Sequence, residues 1–269
     1  MIRMFRKASI LYFAICITGI ALLSVWGRFS GSLWYLYSVI IISIAWWFSN
    51  TYAQKLSGKI NNVLLQECNP IEYIAFYEKV LKKKNVKKIR NYILLNLSTG
   101  YHSIGNAEEC KRALDTIKGF PNTRYGALNT VCFFNNLAGY YMMIKDLENA
   151  EDTLNSMKSA LGNPKLAKMH YESYYHFYIS KNFVLNMAKG NYSGAEEHFS
   201  IFFDKEKNLL GKVAAKYYLG KVYIHLGDSE KAVSAFEYVV QNGNLTFYTQ
   251  KAREYLDHFY SAGYFLNKG

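Results

Sequence analysis

Apolar residues crowd the first fifty positions and then settle into helical periodicities. Ala8 to Trp26, ASILYFAICITGIALLSVW, runs 19 residues without a charge, and Leu33 to Ser49, LWYLYSVIIISIAWWFS, runs another 17. Each approaches the roughly 20 residues that a bilayer core demands of a helix. Trp26, Trp34 and Tyr35 sit around the short connector GRFSGS, and Trp46 and Trp47 close the far end, as two aromatic belts would. The pattern predicts a membrane anchor over 1–52, a transmembrane helical hairpin with helices at about 8–26 and 33–49. A cleaved signal peptide is the competing reading. The first run is long for one, and SVWGRFSGS offers no small-x-small cleavage site.

The placement of basic residues sets the expected orientation. Arg3, Arg6 and Lys7 precede the first run, only Arg28 lies in the connector, and Lys55 and Lys59 follow the second. Both termini are therefore expected on the cytoplasmic side of a cell membrane, with two spans.

Beyond residue 53 the periodicity is that of helix after helix. Only three prolines occur, Pro70, Pro121 and Pro164, and such a chain favours long helices over turn-dense β structure. Asn69 and Pro70 make an N-cap and first-turn proline, with Ile74, Tyr77, Val80 and Leu81 on one face of the helix that follows. In MHYESYYHFYISKNF, Tyr171, Tyr174, Tyr175 and Tyr178 fall at i, i+3, i+4 and i+7, which is helical spacing. Stepping back by four from Phe183 and Ile179 reaches Tyr175 and Tyr171, so those two are expected in the core and Tyr174 on the other side.

The helices recur as pairs. In YYLGKVYIHLGDSEKAVSAFEYVV, Gly220 and Ala232 are small where two helices approach, Tyr223 and Phe236 fill the space beside them, Gly227 permits a left-handed turn, and Asp228 caps the next helix. Leu219, Gly220, Tyr223, Gly227, Ala232 and Phe236 hold the offsets L-G-x2-Y, Gly, A-x3-F. The stretch resembles a tetratricopeptide repeat. Three further copies follow the register with decreasing fidelity. Leu97, Ser98, Tyr101, Gly105, Cys110 and Leu114 make the first, and Leu137, Ala138, Tyr141, Ala150 and Leu154 the second, with Lys145 in place of the turn glycine. Gly190, Ala195 and Phe199 hold in the third, where Phe183 and Asn186 depart from the pattern.

The resemblance implies an all-α protein: a TPR-like α-solenoid of about four helix pairs over 90–243, flanked by basic linker helices over 53–89 and a C-terminal capping helix over 244–269. It also implies a groove lined by first helices. The groove candidates are Asn135, Asn136, Gly139 and Met142; Tyr174, Phe177, Lys181 and Val184; and Tyr217, Lys221 and Ile224. Some members of that family hold a peptide's terminal carboxylate in a clamp of lysine, arginine and asparagine. Only Asn136 and Lys181 match such positions, while Leu95 and Thr99 stand where its first lysine and asparagine would be, so a carboxylate-reading adaptor is not expected.

Charge adds one feature. The chain carries 32 basic and 20 acidic residues, and KKKNVKKIR concentrates Lys82, Lys83, Lys84, Lys87, Lys88 and Arg90 in nine positions. After an anchor, that run suits anionic lipid headgroups, or a solvated helix face; without a nucleic-acid motif, nucleic acid is not the expected partner. Cys16, Cys68, Cys110 and Cys132 show no metal-binding or redox spacing. The six histidines are dispersed, and no nucleophile elbow, phosphate loop or dinucleotide turn occurs. No catalytic residue, metal or cofactor is assigned. The sequence reads as a membrane-tethered, non-enzymatic interaction module whose solenoid binds a protein or peptide. The alternative is an accessory subunit of a transport or secretion complex, docked through its hairpin.

Overall fold

The computed structural model describes residues 10, 12–19, 21, 34–83, 86–166 and 168–261. These residues form helices and their connections, with no strand among them. The chain divides into two compact units, Met1–Asn62 and Val63–Gly269.

In the first unit residues 12–19 are helical, and Gly19 lets the Ile41 side chain approach so closely that an added Cβ would lie 2.5 Å from it. Helix α1, Trp34–Leu65, is one continuous 32-residue helix. It does not stop near Ser49, because no proline occurs before Pro70, and it runs on through Ser57 and Gly58 without a break. Among the described residues, no helix is long and apolar enough to cross a membrane. This overturns the predicted transmembrane hairpin, and with it the two-span placement at a cell membrane with cytoplasmic termini. The physical reason in α1 is dilution. Ser38, Ser43, Trp46, Trp47 and Ser49 interrupt the aliphatic run, and Asn50, Gln54 and Lys55 follow within the same span length. Of the run predicted at 8–26, residues 10, 12–19 and 21 are described and helical, and the others lie outside the described residues.

The second unit is built of helix pairs: α2 (Pro70–Leu81), α3 (Arg90–Ser103) after a 3-10 turn at Lys87–Ile89, α4 (Ala107–Asp115), α5 (Arg124–Met143), α6 (Leu147–Leu161), α7 (Lys168–Ala188), α8 (Ala195–Lys205), α9 (Leu209–Leu226), α10 (Ser229–Asn242) and α11 (Phe247–Ser261). Side chains begin them: Asn69, Asn106, Thr123, Asp146 and Asp228 each accept from a backbone N–H one turn on. Left-handed glycines follow three first helices, Gly105 at φ 74°, Gly190 at φ 87° and Gly227 at φ 75°, and Lys145 adopts φ 60° at the equivalent place after α5. Each short turn folds the next helix back on the last, so α3 packs on α4, α5 on α6 and α9 on α10.

Small residues set the approach of each pair. Cys110, Ala150, Ala195 and Ala232 are all fully buried, and a Cβ on Gly220 would lie 2.6 Å from the Phe236 ring. Val131, Leu154, Met157 and Leu185 form one core, Phe199, Leu219 and Val222 another, and Val213, Tyr217, Phe236, Ala252 and Phe259 a third. Cys68 also lies in that third core, although it precedes α2. Gln66 bonds to Asn208, Asn244 Nδ2 donates to the Glu67 carbonyl, Leu245 N donates to the Cys68 carbonyl, and the Phe247 ring packs on Gly105. The first and last segments of this unit are therefore in contact.

Candidate functional site

First helices α5, α7 and α9 carry the candidate groove residues, and α3 is the first helix of the preceding pair. α5 touches both α3 and α7, which brings three of these faces together. The structure separates the candidates into filler and open surface. Asn136, 6% exposed, donates to Ser98 Oγ at 2.9 Å, Thr99 Oγ1 at 2.8 Å and the Leu95 carbonyl at 3.3 Å, and accepts from Asn135 Nδ2. Its amide joins α5 to α3, so one of the two clamp-like positions is consumed inside the fold. Tyr217 belongs to the core around Phe236, and Val184 and Met142 pack against neighbouring cores while staying partly open.

The tyrosine stripe turns the other way from the sequence expectation. Tyr171 and Tyr175 are 40% and 39% exposed and stack on each other at 5.5 Å. Tyr174 and Tyr178 instead pack against the α5–α6 core. Steps of four residues overshoot a helical turn by about 40° each, so two steps back from Phe183 leave the core face. Tyr174 accepts from the Cys132 thiol at 3.1 Å, and burial raises the pKa of both groups, Cys132 to about 11. Phe177 stays 37% exposed, its ring 6.1 Å from that of Phe202, and Ile224 is 38% exposed.

Two lysines define the electrostatics. Lys181 Nζ lies 2.8 Å from the point where a Cβ on Gly139 would sit, and His102 Nε2 is closer still to that point. Loss of water lowers the Lys181 pKa to about 8. Desolvation, then the Lys181 charge, pushes the His102 pKa down to about 3, so the imidazole is neutral. Lys221 is partly buried, and its pKa is lowered by desolvation and by the charge of Lys145. His102 and Lys145 were not among the sequence candidates. The register could have found His102: it stands five residues after Leu97, as Met142 stands after Leu137 and Ile224 after Leu219.

The basic run is spread over a surface. Lys82, Lys87 and Arg90 are exposed and Lys83 is partly so, while Lys84 lies outside the described residues and Lys88 falls in the 3-10 turn. Lys82 and Arg90 border a cleft that also holds Glu78, Glu109 and Arg112, so the charge there is mixed. His198 bonds to Ser180 Oγ at 2.9 Å and stacks on Phe183 at 4.3 Å, a packed arrangement. Among the described residues, no group of histidine, cysteine and carboxylate side chains is placed to hold a metal ion. In comparison with known proteins, the chain matches no protein-family model, no curated protein and no solved structure.

Proposed function

We propose that the chain is a non-enzymatic, helical-hairpin interaction protein that holds a peptide or protein partner on the face formed by its first helices. The single observation that carries this reading is a pair of partly buried lysines on that face, Lys181, whose Nζ lies 2.8 Å from the point where a Cβ on Gly139 would sit, and Lys221. A buried lysine without a carboxylate costs stability, and a fold that needed only packing would place a methionine or leucine there. The partly open Met142, Phe177, Val184 and Ile224 supply apolar area around the two charges. The likeness of residues 90–243 to tetratricopeptide repeats agrees with such a role, since repeat arrays use faces of this kind for extended partners.

Site-specific photocrosslinking in cells tests the reading. A benzophenone amino acid at Phe177 or Ile224 is expected to capture a discrete partner, and the same group at Ile201, exposed on second helix α8, is expected to capture none. Capture of the same partner at Ile201 alone would contradict it.

A further inference from the structure

Lys111, Arg112, Lys189, Lys231 and Lys251 all form ion pairs. Lys181 forms none among the described residues. Its Nζ comes from α7 to the gap at Gly139 of α5, 2.8 Å from the place of an added Cβ, and His102 Nε2 of α3 is closer still to that point. The titratable groups that face the amine are this imidazole and the Cys110 thiol of α4, and among the described residues no carboxylate does. Burial holds His102 neutral and lifts the Cys110 pKa to about 12, so neither supplies a negative charge. An ammonium taken from water with no anion beside it is disfavoured, and the neutral amine gains. The nitrogen is still within reach of solvent. Side-chain nitrogens wholly cut off from water all have hydrogen-bond partners among the described residues, whereas Lys181 Nζ has none, so it keeps an opening.

We propose that Lys181 is an acylation site, a nucleophilic amine held between α3, α5 and α7 that takes a small acyl group from a thioester. The neutral nitrogen adds to the thioester carbonyl, a C–N bond forms, the C–S bond breaks, and the thiol leaves with the proton that the nitrogen gives up. The product is an uncharged amide, so the step removes the charge that the fold leaves unpaired. With the His102 proton on Nδ1, Nε2 is free to accept the new amide N–H. A surface lysine such as Lys189 gains nothing of this kind, because acylation there breaks its ion pair with Glu151. The small size of the group follows from α5, which closes one side of the nitrogen at Gly139. The reaction needs no partner on the first-helix face.

The test treats the full chain with the thioester N,S-diacetylcysteamine and follows each lysine by peptide mass spectrometry. Near neutral pH, Lys181 is expected to be acetylated about tenfold faster than the exposed Lys82 and Lys158, whose amines are almost wholly protonated there. Its rate should level off above about pH 8, where the amine is already neutral, while theirs climb on past about pH 10. The excess should vanish in urea. His102→Asp sets a carboxylate beside the amine, and in the folded variant Lys181 should fall back toward the rate of Lys82. Lys181 reacting no faster than Lys82 and Lys158 in the folded chain, or its rate rising in parallel with theirs, would overturn the proposal. So would an excess that survives in urea, which would belong to the local sequence and not to the packing of three helices, or an unchanged rate in folded His102→Asp.

Discussion

Asn136 and Lys181 show how far single residues on this face depart from filler. The Asn136 amide links two first helices, and Asn136→Ala removes its donors from Ser98 and Thr99. Those hydroxyls keep their bonds to the Leu95 carbonyl, so the expected loss is about 1–2 kcal/mol, read as a lower denaturation midpoint at unchanged slope. Lys181 has the opposite sign. Its folded pKa is about 8 against an ordinary 10.5, so the unfolded chain binds more protons between those values and stability rises with pH across that window. Below pH 8 the penalty is complete. Lys181→Met should therefore raise stability at pH 7 by up to about 2 kcal/mol, allowing for solvent screening, and the gain should vanish above pH 10.5, as urea titrations at the two pH values would show. The positions of Lys181 and Asn136 were legible from the repeat register. That Asn136 is consumed and Lys181 faces a neutral His102 was not, because both depend on how closely α3, α5 and α7 approach.

Helix α7 carries the element-scale lesson. Its spacing announced a helix, but the face was misread, since a four-residue step accumulates drift where the core follows the 3.6-residue period through Tyr174, Tyr178 and Leu185. Its first half is open, with Tyr171, Tyr175, His176 and Phe177 exposed, whereas Leu185 and Met187 in its second half are buried. Amide exchange should be markedly faster in 171–177 than in 181–187, and equal protection of both halves would contradict the packing described. Helix α1 shows a different limit. Hydrophobic run length suggested a boundary at Ser49, yet local helix formers carried the helix on to Leu65, and the polar residues there took away the span.

At the scale of the molecule, the pairing of helices was readable because its signals are local: caps at Asn106, Asp146 and Asp228, turns at Gly105 and Gly227, and a small residue opposite each first helix. The meeting of the second unit's first and last segments was not readable. Cys68 carries no metal-binding or redox spacing in the sequence, and nothing in its neighbourhood points to Val213 or Ala252, well over a hundred residues away. Cys68→Phe would overfill that core and should cost about 1–3 kcal/mol, with exchange accelerating in α11 as well as around residue 68. A loss confined to the residues around 68 would mean that the two segments do not share a core.

The central claim, that the first-helix face is the interaction surface, is tested most directly by amide hydrogen exchange of the full chain with and without the partner identified by crosslinking. Added protection is predicted in 135–142, 177–184 and 217–224, with second helices α4, α6 and α8 unchanged. Protection centred on those second helices, with the first-helix segments unaffected, would contradict it.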